Sequence, residues 1–312
     1  MNDIHSYIFM PPQETVLPNV YATASIPPLQ MGKFKASMTI VRESWSVLMQ
    51  DREIMWFPIL SAIVNLVALA FLCTLGFFGV LQGDMGNWAH LEQSDAGAFS
   101  YITLFVYYLV TFFIVNFFQA GIYLIVHARF SGQDMSFRDG INGAIEHSGK
   151  IFVWSFISAT VGVILRMIAD RSRLIGKIVA FFLGAAWNIL TYFSLPSLII
   201  GNTTVLNSFK DSAAVIRKNW GETIIVNLGV NFFFSMLIFL ELALGIGIII
   251  LVPTLVVGTV VIAFFLISIV LLTIISSALA SIFTLALYEY ATTGKVPSGF
   301  SPELIQHAVK VK

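Results

Sequence analysis

The chain has 312 residues, of which 57% are hydrophobic and only 11% are charged, and its formal net charge is zero. Soluble domains carry about 25% charged residues, so this composition, with a mean hydropathy of +0.86, argues against a soluble protein and predicts a membrane protein. The single cysteine, Cys73, excludes an intramolecular disulfide. Because Cys73 lies inside an apolar segment, we expect a buried and chemically inert side chain.

The first 30 residues differ in composition from the rest of the chain. They contain half of the ten prolines and no lysine or arginine. A signal peptide needs a basic segment before its apolar core, so we predict that residues 1–30 form a disordered, proline-rich extension. We expect a single transmembrane domain over 31–294 and a cytoplasmic tail over 295–312.

Two similar stretches set the plan of this domain. The sequences Ser136-Phe137-Arg138-Asp139 and Ser208-Phe209-Lys210-Asp211 each end ten residues before a glycine, and a long apolar segment follows. In both, the serine is placed to cap a helix and the aspartate to lie in its first turn. The pattern predicts amphipathic helices on the membrane surface, capped by Ser136 and Ser208 with Asp139 and Asp211, each leading into a span. A looser copy of this repeat begins at Phe34 and lacks the capping serine.

Long uncharged segments predict six transmembrane helices. The predicted fold is all-α, a polytopic membrane bundle of three tandem hairpins, each preceded by a cytoplasmic amphipathic helix. The turn between spans five and six is expected near Gly245, Gly247 or Pro253, where the apolar pattern is broken. The predicted spans lie near 57–81, 101–126, 151–168, 178–206, 223–251 and 254–290.

The positions of the basic residues predict the orientation of the chain. Thirteen of the 17 lysines and arginines fall on one side of the predicted spans, and the loop 82–99 has none. Both termini are therefore expected in the cytoplasm, in a prokaryotic plasma membrane. Four basic residues contradict this arrangement, so either the third hairpin is re-entrant or its arginines are paired within the protein. They are Arg166, Arg171, Arg173 and Lys177.

Several short sequence segments occur in the same order along the chain as in a known family. Among them are Gly32-Lys33-Phe34, Asp51-Arg52-Glu53 with Phe57-Pro58, and Ala159-Thr160-Val161-Gly162. The C-terminal segment begins with Ala286-Leu287-Tyr288-Glu289-Tyr290 and continues to Pro297. Together they resemble an uncharacterised family of prokaryotic multi-pass membrane proteins, a domain-of-unknown-function family, over roughly residues 31–304. This resemblance implies a membrane protein and carries no activity.

Glu241 is the only charged residue between Thr223 and Tyr288. A carboxylate in hydrocarbon is costly, so Glu241 is either a proton or cation site or the interfacial end of a span that stops near Leu240. The second interpretation is the more common one. Arg166, near the end of the third span, either reaches the interface or pairs with Glu241.

Amide side chains recur in the predicted spans, and such residues either line a transport path or form hydrogen bonds between helices. Packing is the more common role, and Ser276, Ser277, Ala280 and Ser281 favour it too. The amide candidates are Asn116, Gln119, Asn188, Asn227 and Asn231. The five histidines are not spaced as metal ligands, and the sequence contains no nucleotide-binding, metalloprotease or serine-hydrolase motif. We therefore expect no catalytic residues, metal or cofactor.

Three functions remain open at this point. The first hypothesis is a non-enzymatic membrane protein that organises or assembles other components, with membrane lipids, a membrane-protein partner or a second copy as partners and no nucleic acid. The second is a small-molecule or lipid transporter, favoured by Glu241 and by the repeat. The third is an intramembrane enzyme.

Overall fold

A computed structural model describes residues 33–79, 96–172, 174–220, 229–252 and 254–308. The regular structure in these segments is entirely helical, as predicted. A short 3₁₀ helix, Arg52–Met55, connects the first two α-helices. The α-helices are α1 (Lys33–Gln50), α2 (Trp56–Gly79), α3 (Ala96–Phe130), α4 (Phe137–Glu146), α5 (Ser148–Asp170), α6 (Ile175–Leu190), α7 (Ser194–Ile199), α8 (Val205–Trp220), α9 (Gly229–Leu251), α10 (Leu255–Thr293) and α11 (Pro302–Ala308).

Six segments of this part of the chain are long and apolar enough to cross a membrane. They correspond to α2, α3, α5, α6 with α7, α9 and α10, so the prediction of an all-α polytopic membrane bundle is confirmed. With 35 residues in α3 and 39 in α10, these helices measure about 52 and 58 Å. Both are much longer than the hydrocarbon thickness of about 30 Å, and the C-terminal end of each is buried in a closely packed part of the bundle.

That end forms a tightly packed core, which we call the base. Its buried side chains come from α1, from the last turns of α3, from α7 and from the last half of α10. Helix α3 lies at its centre and contacts α2, α4, α5, α7 and α10. The base is made by Ile40–Leu48, Ala120–Val126, Leu195–Ile199 and Ala278–Tyr288.

Away from the base the helices bury little of their surface against one another. None of the most apolar window of α10 is buried, and only 6% of that of α2 is. Cys73, predicted to be buried, is exposed on α2 because no described helix covers this part of α2. These exposed apolar surfaces suit contact with lipid chains, and we call this half of the bundle the outer half.

Phe57 joins three helices of the base. Its side chain is fully buried and lies against Gly121 of α3 and Gly140 of α4, where a Cβ atom would come within 2.2 and 2.9 Å of its ring. The ring also contacts Phe118 and Phe137, at centroid distances of 6.5 and 4.7 Å. The absence of a side chain at both glycines is therefore what admits the ring.

Charged side chains tie the helix ends of the base together. Arg129, at the end of α3, forms a bidentate ion pair with Asp51, the residue before the 3₁₀ helix. Arg129 also donates a 3.0 Å hydrogen bond to Asp134. His127 of α3 contacts Glu289 of α10 at 2.6 Å. These pairs fix the last turn of α3 relative to α1, α2 and α10.

The fourth span is broken rather than continuous over 178–206. Helix α6 ends at Leu190, three turn residues follow, and α7 runs only from Ser194 to Ile199. Pro196 has no N–H to donate to the carbonyl of Tyr192, so a continuous helix would lose a bond at this point. The hydroxyl of Ser212 in α8 accepts a 3.0 Å hydrogen bond from the N–H of Phe193 and satisfies the interrupted backbone.

The two predicted helix caps have different outcomes. Ser136 and Asp139 form a reciprocal capping box on α4, as predicted. The hydrogen bonds from the hydroxyl and backbone N–H of Ser136 lower the pKa of Asp139, so this carboxylate's contribution to stability is lost only as the pH falls through that lowered value. Ser208 is not a cap, because α8 begins three residues earlier and its hydroxyl donates to the carbonyl of Val205. Asp211 consequently lies beyond the first turn and accepts a 3.0 Å bond from Ser197.

Helix α5 has 23 residues and is long and apolar enough to cross a membrane, so its length does not require a re-entrant third hairpin. Its two helices meet closely, because a Cβ on Gly176 would lie 2.4 Å from the carbonyl oxygen of Ile168. Between spans five and six, α9 ends at Leu251 and α10 begins at Leu255, which excludes the expected break at Gly245 or Gly247. Pro253, the third expected position, lies outside the described residues. The predicted extension 1–30 and most of the loop 82–99 lie outside the described residues.

We predict that Gly121→Ala lowers the thermal stability of the protein by about 1–3 kcal/mol, because the added methyl group collides with the buried ring of Phe57. Thermal unfolding in detergent measures the effect. Gly149→Ala is the matched control, since a Cβ there meets nothing within 4 Å. Equal stability of the two variants would contradict the role given to Phe57.

We also predict that Asp51→Asn destabilises the protein by about 3 kcal/mol, because the partly buried guanidinium of Arg129 loses its counter-charge. The Arg166–Asp170 pair is the natural comparison, as both of its side chains are far more exposed. Asp170→Asn should cost less than about 1 kcal/mol. Equal losses in denaturant unfolding would show that the Arg129 pair is no more than a surface contact.

Candidate functional site: a polar cavity above the base

A cavity of about 460 Å³ lies where α9 and α10 leave the base. This volume falls within the range of about 300–1,000 Å³ that is typical of small-molecule sites. Nine of its twelve lining residues carry an amide or hydroxyl group. The lining comprises Gln119 and Tyr123 of α3, Tyr192 of the α6–α7 turn, Phe234, Ser235 and Ile238 of α9, and Thr273, Ser276, Ser277, Ala280, Ser281 and Thr284 of α10.

Hydrogen bonds between three elements close the cavity at the base. The Nε2 group of Gln119 lies 3.0 Å from the hydroxyl of Tyr123 and 3.3 Å from that of Ser281. The hydroxyls of Tyr192 and Thr284 are 2.9 Å apart. Because Tyr123, Ser281 and Thr284 are buried, these groups form a fixed floor.

The opposite end of the cavity is open. Ser235 of α9 and Thr273 and Ser277 of α10 are exposed, and they face the outer half of the bundle. An occupant therefore has its polar end on the floor and reaches the apolar outer half through the open end.

Among the residues that the structure describes, none that lines this cavity is charged. An ionised group buried in it would find hydroxyls and an amide but no counter-charge, which is strongly unfavourable. Hydroxyl and amide groups of a neutral molecule would instead form ordinary hydrogen bonds with the lining. The cavity is chemically suited to an uncharged polar group.

Glu241 lies one helical turn beyond Ile238 on α9. The helix continues ten residues past it to Leu251, or about 15 Å, so the interpretation of Glu241 as the interfacial end of a span is wrong. The helix passes straight through Gly245 and Gly247, where a turn was one of the expectations. Glu241 is thus in the middle of a span, as the proton-site or cation-site interpretation requires.

The predicted pair between Arg166 and Glu241 is not formed. Arg166 donates a 3.0 Å bond to Asp170, four residues further along α5. The Oε2 atom of Glu241 is buried without a hydrogen-bond partner among the described residues.

The predicted amides have different surroundings, and of the three whose side chains are described, one lines the cavity. Gln119 does so, whereas Asn116 donates a 3.0 Å bond to Ser155 and joins α3 to α5, in the packing role. Asn188 is exposed on α6. Asn231 belongs to α9, with a side chain outside the description, and Asn227 lies outside the described residues. Ser276, Ser277, Ala280 and Ser281 all border the cavity. Ser281 also accepts a hydrogen bond from Gln119 of α3, and Ala280 packs against the core.

No sequence pattern indicated the two tyrosines of the site. Tyr123 and Tyr192 are 69 positions apart and each lies among aromatic and apolar neighbours, as lipid-facing residues do. The one available signal was the run of hydroxyl residues on α10, with Thr273, Ser277 and Thr284 at helical spacing.

Residues 98–300 match a family of unknown function, DUF6159. The chain belongs to this family. The match confirms the expected domain-of-unknown-function relationship and includes every residue that lines the cavity of this DUF6159 protein. No curated protein and no solved structure matches the chain.

We predict that the cavity of this DUF6159 protein contains water and opens at Ser277. In a Cys73→Ser background, Ser277→Cys should react with N-ethylmaleimide about tenfold faster than Ser281→Cys, because a thiol reacts as its hydrated thiolate. Val270→Cys is the control, since Val270 is exposed on α10 but does not line the cavity, and it should react slowly. Equal rates at Ser277 and Ser281 would contradict the closed floor.

Proposed function

We propose that this protein is a non-enzymatic lipid transporter that holds an uncharged, hydroxyl-bearing head group in the polar cavity. The observation that carries the proposal is a lining rich in hydroxyl and amide groups that contains no charge. The head group of a glycosyl lipid presents several hydroxyls that both donate and accept, and it needs no counter-ion.

The open end of the cavity favours a lipid over a free solute. Ser235, Thr273 and Ser277 lead from the floor toward exposed apolar side chains of α9 and α10, among them Phe239 and Leu266. A head group on the floor would leave its acyl chains along these side chains, in contact with the bilayer. The positive-inside distribution of lysine and arginine supports a base at the cytoplasmic face, with both termini on that side.

A second candidate is the organisation of other membrane proteins, and the exposed outer half favours it. Only 11% of the most apolar window of α9 and none of that of α10 is buried, which leaves a wide surface for a partner helix or a second copy. Native mass spectrometry of the protein extracted gently from its own membrane separates the candidates. A stoichiometric protein partner without bound lipid would favour organisation.

We expect the purified protein to retain one glycolipid from vesicles that contain phosphatidylethanolamine, phosphatidylglycerol and a small fraction of monoglucosyl diacylglycerol. Gln119→Leu should reduce this retention about tenfold or more, because the variant removes a half-buried hydrogen-bonding group worth about 1–3 kcal/mol. Native mass spectrometry measures the bound lipid. Transport is then tested by the access of dithionite to a fluorescent glucosyl lipid in reconstituted vesicles.

Asn65→Leu is the matched control, since Asn65 is an amide in α2 whose side chain bonds only to Ser61 of the same helix in the described structure. It should retain the glycolipid as the unmodified protein does. Retention of phosphatidylglycerol in place of the glycolipid, or equal retention by Gln119→Leu, would overturn the proposal.

A further inference from the structure

Glu241 belongs to the face of α9 that meets α10. Phe234, Ile238, Glu241 and Gly245 are spaced four, three and four, which places them on one side of a helix. Phe234 and Ile238 line the cavity, and a Cβ on Gly245 would lie 3.1 Å from the ring of Phe265 in α10. Along this face Glu241 therefore lies between the polar cavity and a close contact of the two helices.

No described charge neutralises this carboxyl group. Its Oε2 atom is buried and has no hydrogen-bond partner. Helix α10 has no ionisable side chain from Leu255 to Leu287. Helix α1 also packs on α9; there Lys33 and Lys35 belong to the first turn, Arg42 is exposed, and Glu43 is hydrogen bonded to Ser301.

A carboxylate at the middle of a membrane span is costly, and more so where water does not reach it. The neutral acid is consequently the form that fits the closed contact between α9 and α10. The charged form is compatible with the fold only if water reaches it, and the nearest polar space is the cavity one turn away.

We propose that Glu241 is a proton-binding site that controls the contact between α9 and α10. With its proton, the neutral acid lets the two helices close above the cavity. When the proton passes to water in the cavity, the carboxylate draws water upward and the helices separate between Ile238 and Gly245. This inference rests on the proposed function in one respect, because the separation widens the path between the cavity and the outer half.

The protonation state of Glu241 is measured without any ligand by infrared spectroscopy of the whole protein in vesicles. The carbonyl stretch of a protonated carboxyl group in an apolar environment should be present at pH 7 and lost in Glu241→Gln. Glu303→Gln, at an exposed position of α11, should keep the band. Absence of the band at pH 7, or its persistence in Glu241→Gln, would overturn the proposal.

The movement is tested by spin labels on Leu240→Cys and Leu266→Cys, both exposed, in a Cys73→Ser background. The distance between the labels should lengthen as the pH is raised through the range in which the infrared band disappears. In Glu241→Gln the distance should stay at the short value at every pH. Labels on Ile164→Cys and Leu183→Cys, in the α5–α6 hairpin, should show no such change. A distance that does not depend on pH in the otherwise unmodified protein would refute the gate.

Neither measurement depends on glycolipid binding. If the glycolipid is not retained but the band and the distance change are observed, the proton-controlled contact stands and only the identity of the ligand fails. If the glycolipid is retained but the band is absent, the cavity binds its lipid without control by Glu241.

Discussion

The architecture depends on the burial of one aromatic ring, Phe57, against two glycines. Gly121 and Gly140 leave the space in which this ring joins the start of α2 to α3 and α4. Within lipid, apolar surfaces gain little by leaving hydrocarbon for one another, so close packing decides where transmembrane helices associate. The base has such packing, reinforced by the Arg129–Asp51 pair, whereas the outer half does not, and the two ends of the bundle differ for this reason.

The cavity is a consequence of that difference. Helices α9 and α10 are held by the base at one end and by the contact of Gly245 with Phe265 at the other. Between these points α10 carries serine, alanine and threonine, whose small side chains do not fill the space. Hydroxyls that would be costly against lipid are satisfied here, since Thr273 and Ser281 donate to the carbonyls of Ile269 and Ser277 in their own helix. The site thus needs no charged residue to be stable within the membrane.

The sequence predicted the positions of the helices better than it predicted the contacts between them. Uncharged runs located all six spans, and the S-x-x-D pattern located the capping box at Ser136, because length and local hydrogen bonding determine both. The same pattern at Ser208 was misleading, since α8 begins at Val205 and the serine is drawn into buried contacts with its own helix. The outcomes at Arg166 and Glu241 had different causes. Arg166 pairs locally with Asp170, four residues along the same helix, whereas only the fold shows that the face of α9 that carries Glu241 packs against α10. Tyr123 and Tyr192 could not be found as partners of one cavity because only the fold brings α3 and the α6–α7 turn together.

The break in the fourth span connects backbone chemistry to the site. Non-helical backbone inside a membrane protein is tolerated only where protein or water satisfies its polar groups. Here the buried hydroxyl of Ser212 accepts from the N–H of Phe193, and all six residues of α7 are buried in the base. Pro196 interrupts the helix at Tyr192, so the backbone there departs from the axis of α6. The Tyr192 side chain then points away from the lipid-facing side of α6 and forms a hydrogen bond with Thr284 of α10. A continuous helix would carry Tyr192 in the direction set by α6, so the interruption that Pro196 imposes is what completes the floor of the cavity.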